Sequence, residues 1–159
     1  MDLVFSNCTV LTNDRENVVL TECDVGVNDG VITELGRSNS RNQPQRLVDA
    51  SDLLIMPGLI NSHTHSPENF SKGRAESVTL GPWLDQIWPA LDVLEPRQIY
   101  IAALLGAAEM LHTGTISVVD HFRQTPMNLA AVDAVAEGYR DSGMKAVIAV
   151  MLRDIPQFK

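Results

Sequence analysis

Two histidines, His63 and His65, stand one residue apart at the end of a short apolar segment, residues 54–60. Side chains of a strand alternate between faces, so both imidazoles are expected to leave the strand on the same side. Two neutral imidazoles that project together can hold one divalent metal ion. A lone His-x-His pair more often marks ordinary surface or core histidines, but this pair follows an apolar run and precedes a long polar loop. We therefore predict that His63 and His65 bind a metal.

A divalent ion held in this way makes hydroxide available from water near neutral pH and polarises the bond under attack. Catalytic zinc sites usually have three protein ligands, so two histidines leave the ion short of ligands. A general base and a proton shuttle are also needed. Residues 66–159 contain no set of side chains that fills all of these roles. The residues predict a hydrolytic metal site that this chain does not complete.

Asp120 and His121 end a second short apolar segment, which predicts a buried strand. Functional groups of parallel α/β proteins gather at the C-terminal ends of strands. His121 therefore contacts substrate, supplies a further metal ligand or bonds to a neighbouring loop, and these alternatives stay open. Asp120 alternates with His121, so we expect it to face the other side and to cap the following segment. His112 falls in the last turn of a predicted helix, where a cation suits the helix dipole, and is read as structural or solvated.

The segment 66–94 is a long connection, and connections of this length are usually functional or partly helical. Its two tryptophans, Trp83 and Trp88, could wall a flat substrate, although buried loop aromatics are more often packing anchors. Glu68 and Asp92 are acids near the histidines in sequence. Each is individually expected to be a loop or cap residue.

The elements that carry these residues change type along the chain. Residues 1–57 predict a small antiparallel sheet or sandwich, in which an Asp-Gly pair at Asp29 and Gly30 makes a hairpin turn. After residue 58, strands alternate with helices, which predicts βαβ crossovers and a parallel sheet. The polar segment 36–46 is rich in turn residues. The predicted strands are 3–12, 18–27, 31–35, 46–50, 115–121 and 146–151, and the predicted helices run from Pro96 to Gly114 and over about 127–142.

Composition narrows the class of protein. A formal net charge of −8 argues against nucleic acid or an anionic membrane as the main partner. The chain has no apolar run long enough to span a membrane, and its N-terminus lacks the features of a signal peptide. Cys8 and Cys23 are too few for a disulfide framework, so we expect buried thiols in the reducing cytoplasm.

Three segments resemble a known family. They are 57–65 (Pro-Gly-Leu-Ile-Asn-Ser-His-Thr-His), 81–84 (Gly-Pro-Trp-Leu) and 114–120 (Gly-Thr-Ile-Ser-Val-Val-Asp). Residues 24–32 are similar to the strand-turn-strand of the same family's small β domain. The chain resembles the N-terminal portion of a metal-dependent hydrolase of the amidohydrolase superfamily. The similarity is greatest to the cytosine deaminase, S-adenosylhomocysteine deaminase and triazine chlorohydrolase branch.

This resemblance implies an α/β fold, in which a partial (β/α)8 TIM barrel of about three strands, residues 58–159, follows part of a small β-sandwich domain, residues 1–57. His63 and His65 are then first-strand ligands of one divalent metal ion, zinc or alternatively iron(II), because Asn61 stands where the two-metal branch usually has aspartate. Trp83, Asp92 and His121 occupy positions that resemble substrate-binding ones. The implied reaction is hydrolytic deamination of a purine-, pyrimidine- or triazine-like cyclic amidine.

A (β/α)8 barrel needs roughly 250 residues, so the resemblance also implies a fragment whose remaining metal ligands and general acid and base lie outside this chain. We expect the chain to be inactive alone. It would associate either as a homo-oligomer or with a complementing chain that carries the rest of the barrel. Two alternatives remain: a non-catalytic relative that acts as an interaction or structural subunit, and a stand-alone binding module with packed histidines.

Overall fold

The computed structural model of the chain describes residues 1–37 and 43–152. It is a mixed α/β structure that divides into two compact units, with the boundary between Pro57 and Gly58. Within the described residues, no helix has the length and apolar character to cross a membrane. The elements in chain order are β1 (Leu3–Leu11), β2 (Val19–Asn28), β3 (Val31–Gly36), β4 (Arg46–Asp49), β5 (Leu54–Ile55), β6 (Leu59–Thr64), a 3₁₀ helix (Ser66–Ser71), α1 (Leu80–Asp92), α2 (Pro96–His112), β7 (Thr115–Asp120), α3 (Leu129–Ser142) and β8 (Lys145–Ile148).

The first unit is one sheet with the strand order β3-β2-β1-β4, in which β5 also pairs with β1. The turn between β2 and β3 has positive φ angles of 50° at Asp29 and 75° at Gly30, as a two-residue hairpin turn requires. The predicted antiparallel pairing was confirmed for β1, β2 and β3, but it was wrong for β4 and β5, which run parallel to β1. Parallel pairing needs a long connection. The connection between the parallel partners β1 and β4 contains β2, β3 and the predicted turn-rich segment 36–46, of which residues 38–42 lie outside the described residues.

The core of the first unit contains two cysteines that face each other across β1 and β2. Cys8 and Cys23 are register partners, and both are buried free thiols. The Cys8 thiol donates a hydrogen bond to the Cys23 carbonyl oxygen at 2.9 Å, and burial raises the pKa of that thiol. The buried cluster consists of Cys8, Val10, Cys23, Val25 and Ala50.

The second unit contains a three-stranded parallel sheet, β6-β7-β8. Helix α2 lies in the connection from β6 to β7, and α3 connects β7 to β8, as the alternation of strands and helices predicted. Thr64 and Asp120 are register partners, so the ends of β6 and β7 lie at one edge of the sheet. Strand β8 is shorter than the predicted 146–151, although the Met151 N–H still donates to the Phe122 carbonyl oxygen at 2.9 Å.

The connection after β6 is more helical than its sequence suggested. A 3₁₀ helix covers Ser66–Ser71 and α1 covers Leu80–Asp92. Helix α1 buries Leu84, Ile87 and Leu91, whose spacing places them on one face. Pro89 lies inside this helix, and prolines are a signal against helix in sequence. The apolar face stabilises the helix despite that proline.

The core of the second unit packs α2 and α3 against β7. Phe122, Ile99, Val118 and Val135 are among its largest fully buried side chains. The full cluster is Ile99, Ala103, Ala107, Val118, Phe122, Ala131, Ala134, Val135, Tyr139 and Met144.

Candidate metal and substrate site

The two predicted ligands lie side by side at the C-terminal end of β6. The ring centroids of His63 and His65 are 4.9 Å apart, and the rings meet edge to face at 86°. The His63 side chain is exposed, whereas His65 is partly buried. The alternation of strand side chains explains this proximity, since residues two apart share a face.

The neighbouring strand holds the His65 ring in one orientation. Its Nδ1 lies 2.7 Å from the carbonyl oxygen of His121. A carbonyl can only accept a hydrogen bond, so Nδ1 carries the proton and Nε2 of the neutral ring is free to bind a metal. Metal-binding histidines commonly donate their second ring N–H to a carbonyl or carboxylate in this way.

The third histidine of this edge, His121, follows β7 directly. Its ring centroid is 4.3 Å from that of His63 and 6.1 Å from that of His65. The His121 N–H donates to the Thr64 carbonyl oxygen at 2.8 Å, which ties the ends of β6 and β7 together. Within residues 1–37 and 43–152, no group of three or more His, Cys, Asp or Glu side chains is arranged to hold a metal ion.

A cavity of about 480 Å³ opens beside these rings. Trp83 from the start of α1 lines it, so the structure brings this predicted substrate contact to the histidines. Its polar lining has both signs of charge, since it includes two glutamates and a lysine. The lining side chains include His63, His65, Glu68, Lys72, Glu76 and Trp83.

Glu68 lines this cavity, although the sequence analysis expected it to be only a loop or cap residue. It lies in the 3₁₀ helix that begins directly after His65. Burial raises the pKa of the Glu68 carboxyl, while the charge of His65, a hydrogen bond from the Trp88 side chain and the charge of Arg123 act in the opposite direction. Its place three residues after the predicted ligand His65 was the available signal, but an acid in a loop is too common for that spacing to stand out.

Asp92, in contrast, does not reach the cavity. One carboxylate oxygen accepts a hydrogen bond from Arg123 at 2.7 Å, and the other accepts from the Thr125 N–H at 3.0 Å. The ion pair is largely buried, with side-chain exposures of 10% for Arg123 and 22% for Asp92. The Arg123 guanidinium also stacks 4.0 Å above the Trp88 ring. The structure therefore places Asp92 and Trp88 in the anchor of the loop after β7.

Asp120 faces away from His121, as strand alternation predicted, but the expectation that it caps the following segment was wrong. Its side chain is fully buried. One oxygen accepts from the Ser66 N–H at 3.0 Å, and the other accepts from the Tyr139 hydroxyl at 3.0 Å. Burial raises the pKa of Asp120. The carboxylate binds the segment after the preceding strand because parallel pairing puts Thr64 beside it.

His112 is separate from this arrangement. It occupies the last turn of α2 and is exposed. It does not line the cavity beside His63 and His65. The site is thus built from the ends of β6 and β7, the 3₁₀ helix and the start of α1. An edge with two adjacent imidazoles, a partly buried carboxyl and an indole can supply two ligands of a divalent cation next to a flat polar ligand.

Comparison with known protein families points to a hydrolase. Residues 54–156 match the sequence profile of the Amidohydrolase family. Since the match extends over more than half of the sequence, the chain belongs to the amidohydrolase family, whose members are hydrolases.

Two relatives that are named as deaminases are similar to most of the chain. The chain is 34% identical over 149 residues to the 5'-deoxyadenosine deaminase of Methanosarcina acetivorans, covering 93% of this chain and 33% of that enzyme. It is 35% identical over 144 residues to the 5-methylthioadenosine/S-adenosylhomocysteine deaminase of Desulfovibrio desulfuricans, covering 88% of this chain and 32% of that enzyme. The chain spans about a third of the length of these relatives.

Solved structures show the same fold with zinc. The atrazine chlorohydrolase of Arthrobacter aurescens in complex with zinc superposes with a TM-score of 0.82 at 25% identity, covering 92% of this chain and 35% of that chain. An adenosine deaminase of Xanthomonas campestris with bound zinc superposes with a TM-score of 0.79 at 33% identity, covering 92% of this chain and 33% of that chain.

Proposed function

We propose that His63 and His65 are two ligands of a divalent metal ion, zinc or alternatively iron(II), in a hydrolase that deaminates a purine-like substrate. The observation that carries this proposal is the pair of adjacent imidazoles, one of which is held by the His121 carbonyl so that its Nε2 is free. Imidazole nitrogens are ligands that zinc prefers. The zinc in the two superposed enzymes supports the choice of metal.

We further propose that residues 58–159 are the first three strands of a (β/α)8 barrel and that residues 1–57 are part of a small β-sandwich domain. The parallel order β6-β7-β8 with intervening helices supports the first assignment. The one-sheet unit ending at Pro57 supports the second. The relatives are about three times as long as this chain. We expect the remaining metal ligands and the general acid and base from the part of the barrel that those relatives have in addition.

The substrate proposed is an adenosine-type nucleoside, or more broadly a cyclic amidine whose amino group is replaced by oxygen from water, with release of ammonia. When bound, the metal ion lowers the pKa of its water and polarises the carbon–nitrogen bond under attack. The Trp83 indole provides a flat apolar wall for a heterocycle. Glu68 offers a polar group that orients the substrate within the cavity, and His121 lies beside the cavity residue His63.

The test is metal content and ammonia release by the protein expressed from its complete gene. We expect stoichiometric zinc and release of ammonia from 5'-deoxyadenosine or S-adenosylhomocysteine. In the His63→Ala, His65→Ala double variant, zinc should disappear and ammonia release should fall to the uncatalysed background. The matched control is His112→Ala, which removes an exposed histidine outside the cavity and should keep both zinc and rate.

Two other outcomes would contradict the proposal. Retention of zinc by the double variant would reject the ligand assignment. Zinc that depends on both histidines, without turnover of any purine, pyrimidine or triazine tested, would favour a non-catalytic relative over the enzyme proposed.

A further inference from the structure

Asp120 is a fully buried carboxyl that the proposed chemistry does not use. It is 0% exposed and does not line the cavity beside the histidines. A buried carboxylate is costly unless hydrogen bonds satisfy it. The described part of the chain gives it two donors of different origin, the Ser66 main chain and the Tyr139 side chain. The position therefore needs an explanation beyond filling the core.

The first hydrogen bond of Asp120 holds the residue that directly follows the metal ligand His65. The Ser66 N–H donates to Oδ1 at 3.0 Å, and Ser66 is the first residue of the 3₁₀ helix. N–H groups at the start of a helix lack partners within it, and a carboxylate is a favourable acceptor there. Asp120 thereby fixes the direction in which the chain leaves β6.

The second hydrogen bond of Asp120 fixes the carboxylate itself. The Tyr139 hydroxyl, from the buried face of α3, donates to Oδ2 at 3.0 Å. With both oxygens bonded, the side chain cannot rotate without losing a bond. The two hydrogen bonds on one side chain make a rigid bridge between α3 and Ser66.

Two further hydrogen bonds join the C-terminal ends of β6 and β7. The His121 N–H donates to the Thr64 carbonyl oxygen at 2.8 Å, and the His65 ring donates through Nδ1 to the His121 carbonyl oxygen at 2.7 Å. His65 thus lies between a bond at Thr64 and a bond at Ser66. Both bonds have their partners in the consecutive residues Asp120 and His121.

We propose that Asp120, held by Tyr139, is a positioning residue for His65: it acts through the Ser66 main chain to aim the imidazole and touches neither metal nor substrate. The inference rests on the proposed function, since it assumes that His65 is a metal ligand. Its consequence is that loss of the Asp120 carboxylate weakens metal binding beyond what loss of core stability alone would do.

The test compares Asp120→Ala with Val118→Ala in the protein expressed from its complete gene. Val118 is the matched control because it lies two residues earlier on β7, is 2% exposed and belongs to the same core. Its truncation leaves a cavity but keeps every bond of Asp120. Zinc affinity is measured by competition with a chelator, and the free energy of unfolding is measured by urea denaturation of the metal-free protein.

Loss of a group that bonds a metal ligand directly typically costs about 10–100-fold in metal affinity. Asp120 acts one residue away, through Ser66, so we expect Asp120→Ala to lose affinity at the lower end of this range, about 10-fold. Val118→Ala should lower the free energy of unfolding and keep wild-type zinc affinity. Asp120→Asn retains an acceptor for Ser66 and should recover part of the lost affinity. Should Asp120→Ala fail to fold, Asp120→Asn and Tyr139→Phe decide the question, since each keeps the shape of the core and is expected to weaken zinc binding measurably.

Wild-type zinc affinity in the Asp120 variants, or an equal loss in Val118→Ala, would overturn the inference. A further variant, His63→Ala, separates this failure from failure of the proposed function. If His63→Ala keeps zinc, the proposed metal site is wrong. If His63→Ala loses zinc while the Asp120 variants bind it as well as wild type, only the positioning role is wrong.

Discussion

The two units of the chain build their sheets differently, and only the second contains histidines. The first unit combines antiparallel hairpins with the parallel strands β4 and β5, whereas the sheet of the second unit is parallel throughout. Residues 1–57 contain no histidine, tryptophan or tyrosine, whereas all four histidines lie after residue 58. In the first unit, β1, β2 and β3 are antiparallel neighbours in sequence order. In the second, each parallel pairing crosses a helical segment. That crossover brings His65 and His121, 56 residues apart, into hydrogen-bond distance.

A parallel crossover brings the C-terminal ends of consecutive strands to the same edge of the sheet, whereas a hairpin puts them at opposite edges. At an edge where C-terminal ends meet, a polar group on one strand can orient a residue on the next, as the His121 carbonyl does for His65. Among the described residues, the buried cluster of the first unit has five members. The cluster of the second unit has ten, and this larger cluster supports the site.

The difference in size between the two cores is tested first by Phe122→Ala in the second unit, which should cause the greatest loss of stability. Phe122 is 0% exposed, and truncation of a buried phenylalanine typically costs about 3–5 kcal/mol. We expect that loss in the free energy of unfolding, followed by tryptophan fluorescence in urea. Trp83 and Trp88 both lie in the second unit, so this signal reports on that unit.

The matched control for that measurement is Val25→Ala in the core of the first unit, where Val25 is 3% exposed. It removes fewer carbon atoms and lies in the unit without tryptophan, so it should shift the tryptophan-detected transition less. A loss of about 2 kcal/mol or more in the tryptophan-detected transition of Val25→Ala would contradict the distinction between the cores and would indicate that both unfold as one cooperative structure.

A smaller effect tests the close contact between α2 and α3 in the second unit. A Cβ added at Gly138 would lie 2.8 Å from the Tyr100 carbonyl oxygen and 2.9 Å from the Ala103 Cβ. Overpacking of this kind typically costs about 1–3 kcal/mol, so Gly138→Ala should lower the free energy of unfolding by this amount, again measured by tryptophan fluorescence. Gly81→Ala is the control, because a Cβ there meets nothing within 4 Å. Equal stability of Gly138→Ala and wild type would show that the helices can separate without cost.

Local signals in the sequence were enough for the elements whose boundaries depend on a few neighbouring residues. The Asp29-Gly30 pair predicted its hairpin because both positions need positive φ. Pro96 predicted the start of α2, and the structure adds a capping box between Glu95 and Gln98. These features were predictable because each rests on backbone chemistry within four residues.

The sequence was least informative where a partner lies far along the chain. The resemblance favoured Asp92 over Glu68 as a substrate contact, but Glu68 lines the cavity, whereas Asp92 pairs with Arg123, 31 residues later. The bond from Asp120 to Ser66 spans 54 residues. Strand alternation correctly predicted that Asp120 faces away from His121, but no local sequence pattern indicates which groups donate hydrogen bonds to its carboxylate.

A still smaller loss of stability is expected in the first unit at Gly30. This glycine is needed for its backbone conformation and not because a side chain would clash there. Gly30 has a φ of 75°, and a Cβ there meets nothing within 4 Å. Since an L-residue in the left-handed region costs roughly 1–2 kcal/mol, Gly30→Ala should destabilise the hairpin by about 1 kcal/mol. Gly30→Asn should cost less, because asparagine tolerates this region. Hydrogen exchange of the Val27 and Val31 amides measures the effect locally, and equal exchange in the alanine and asparagine variants would show that backbone conformation is not what selects glycine at this turn.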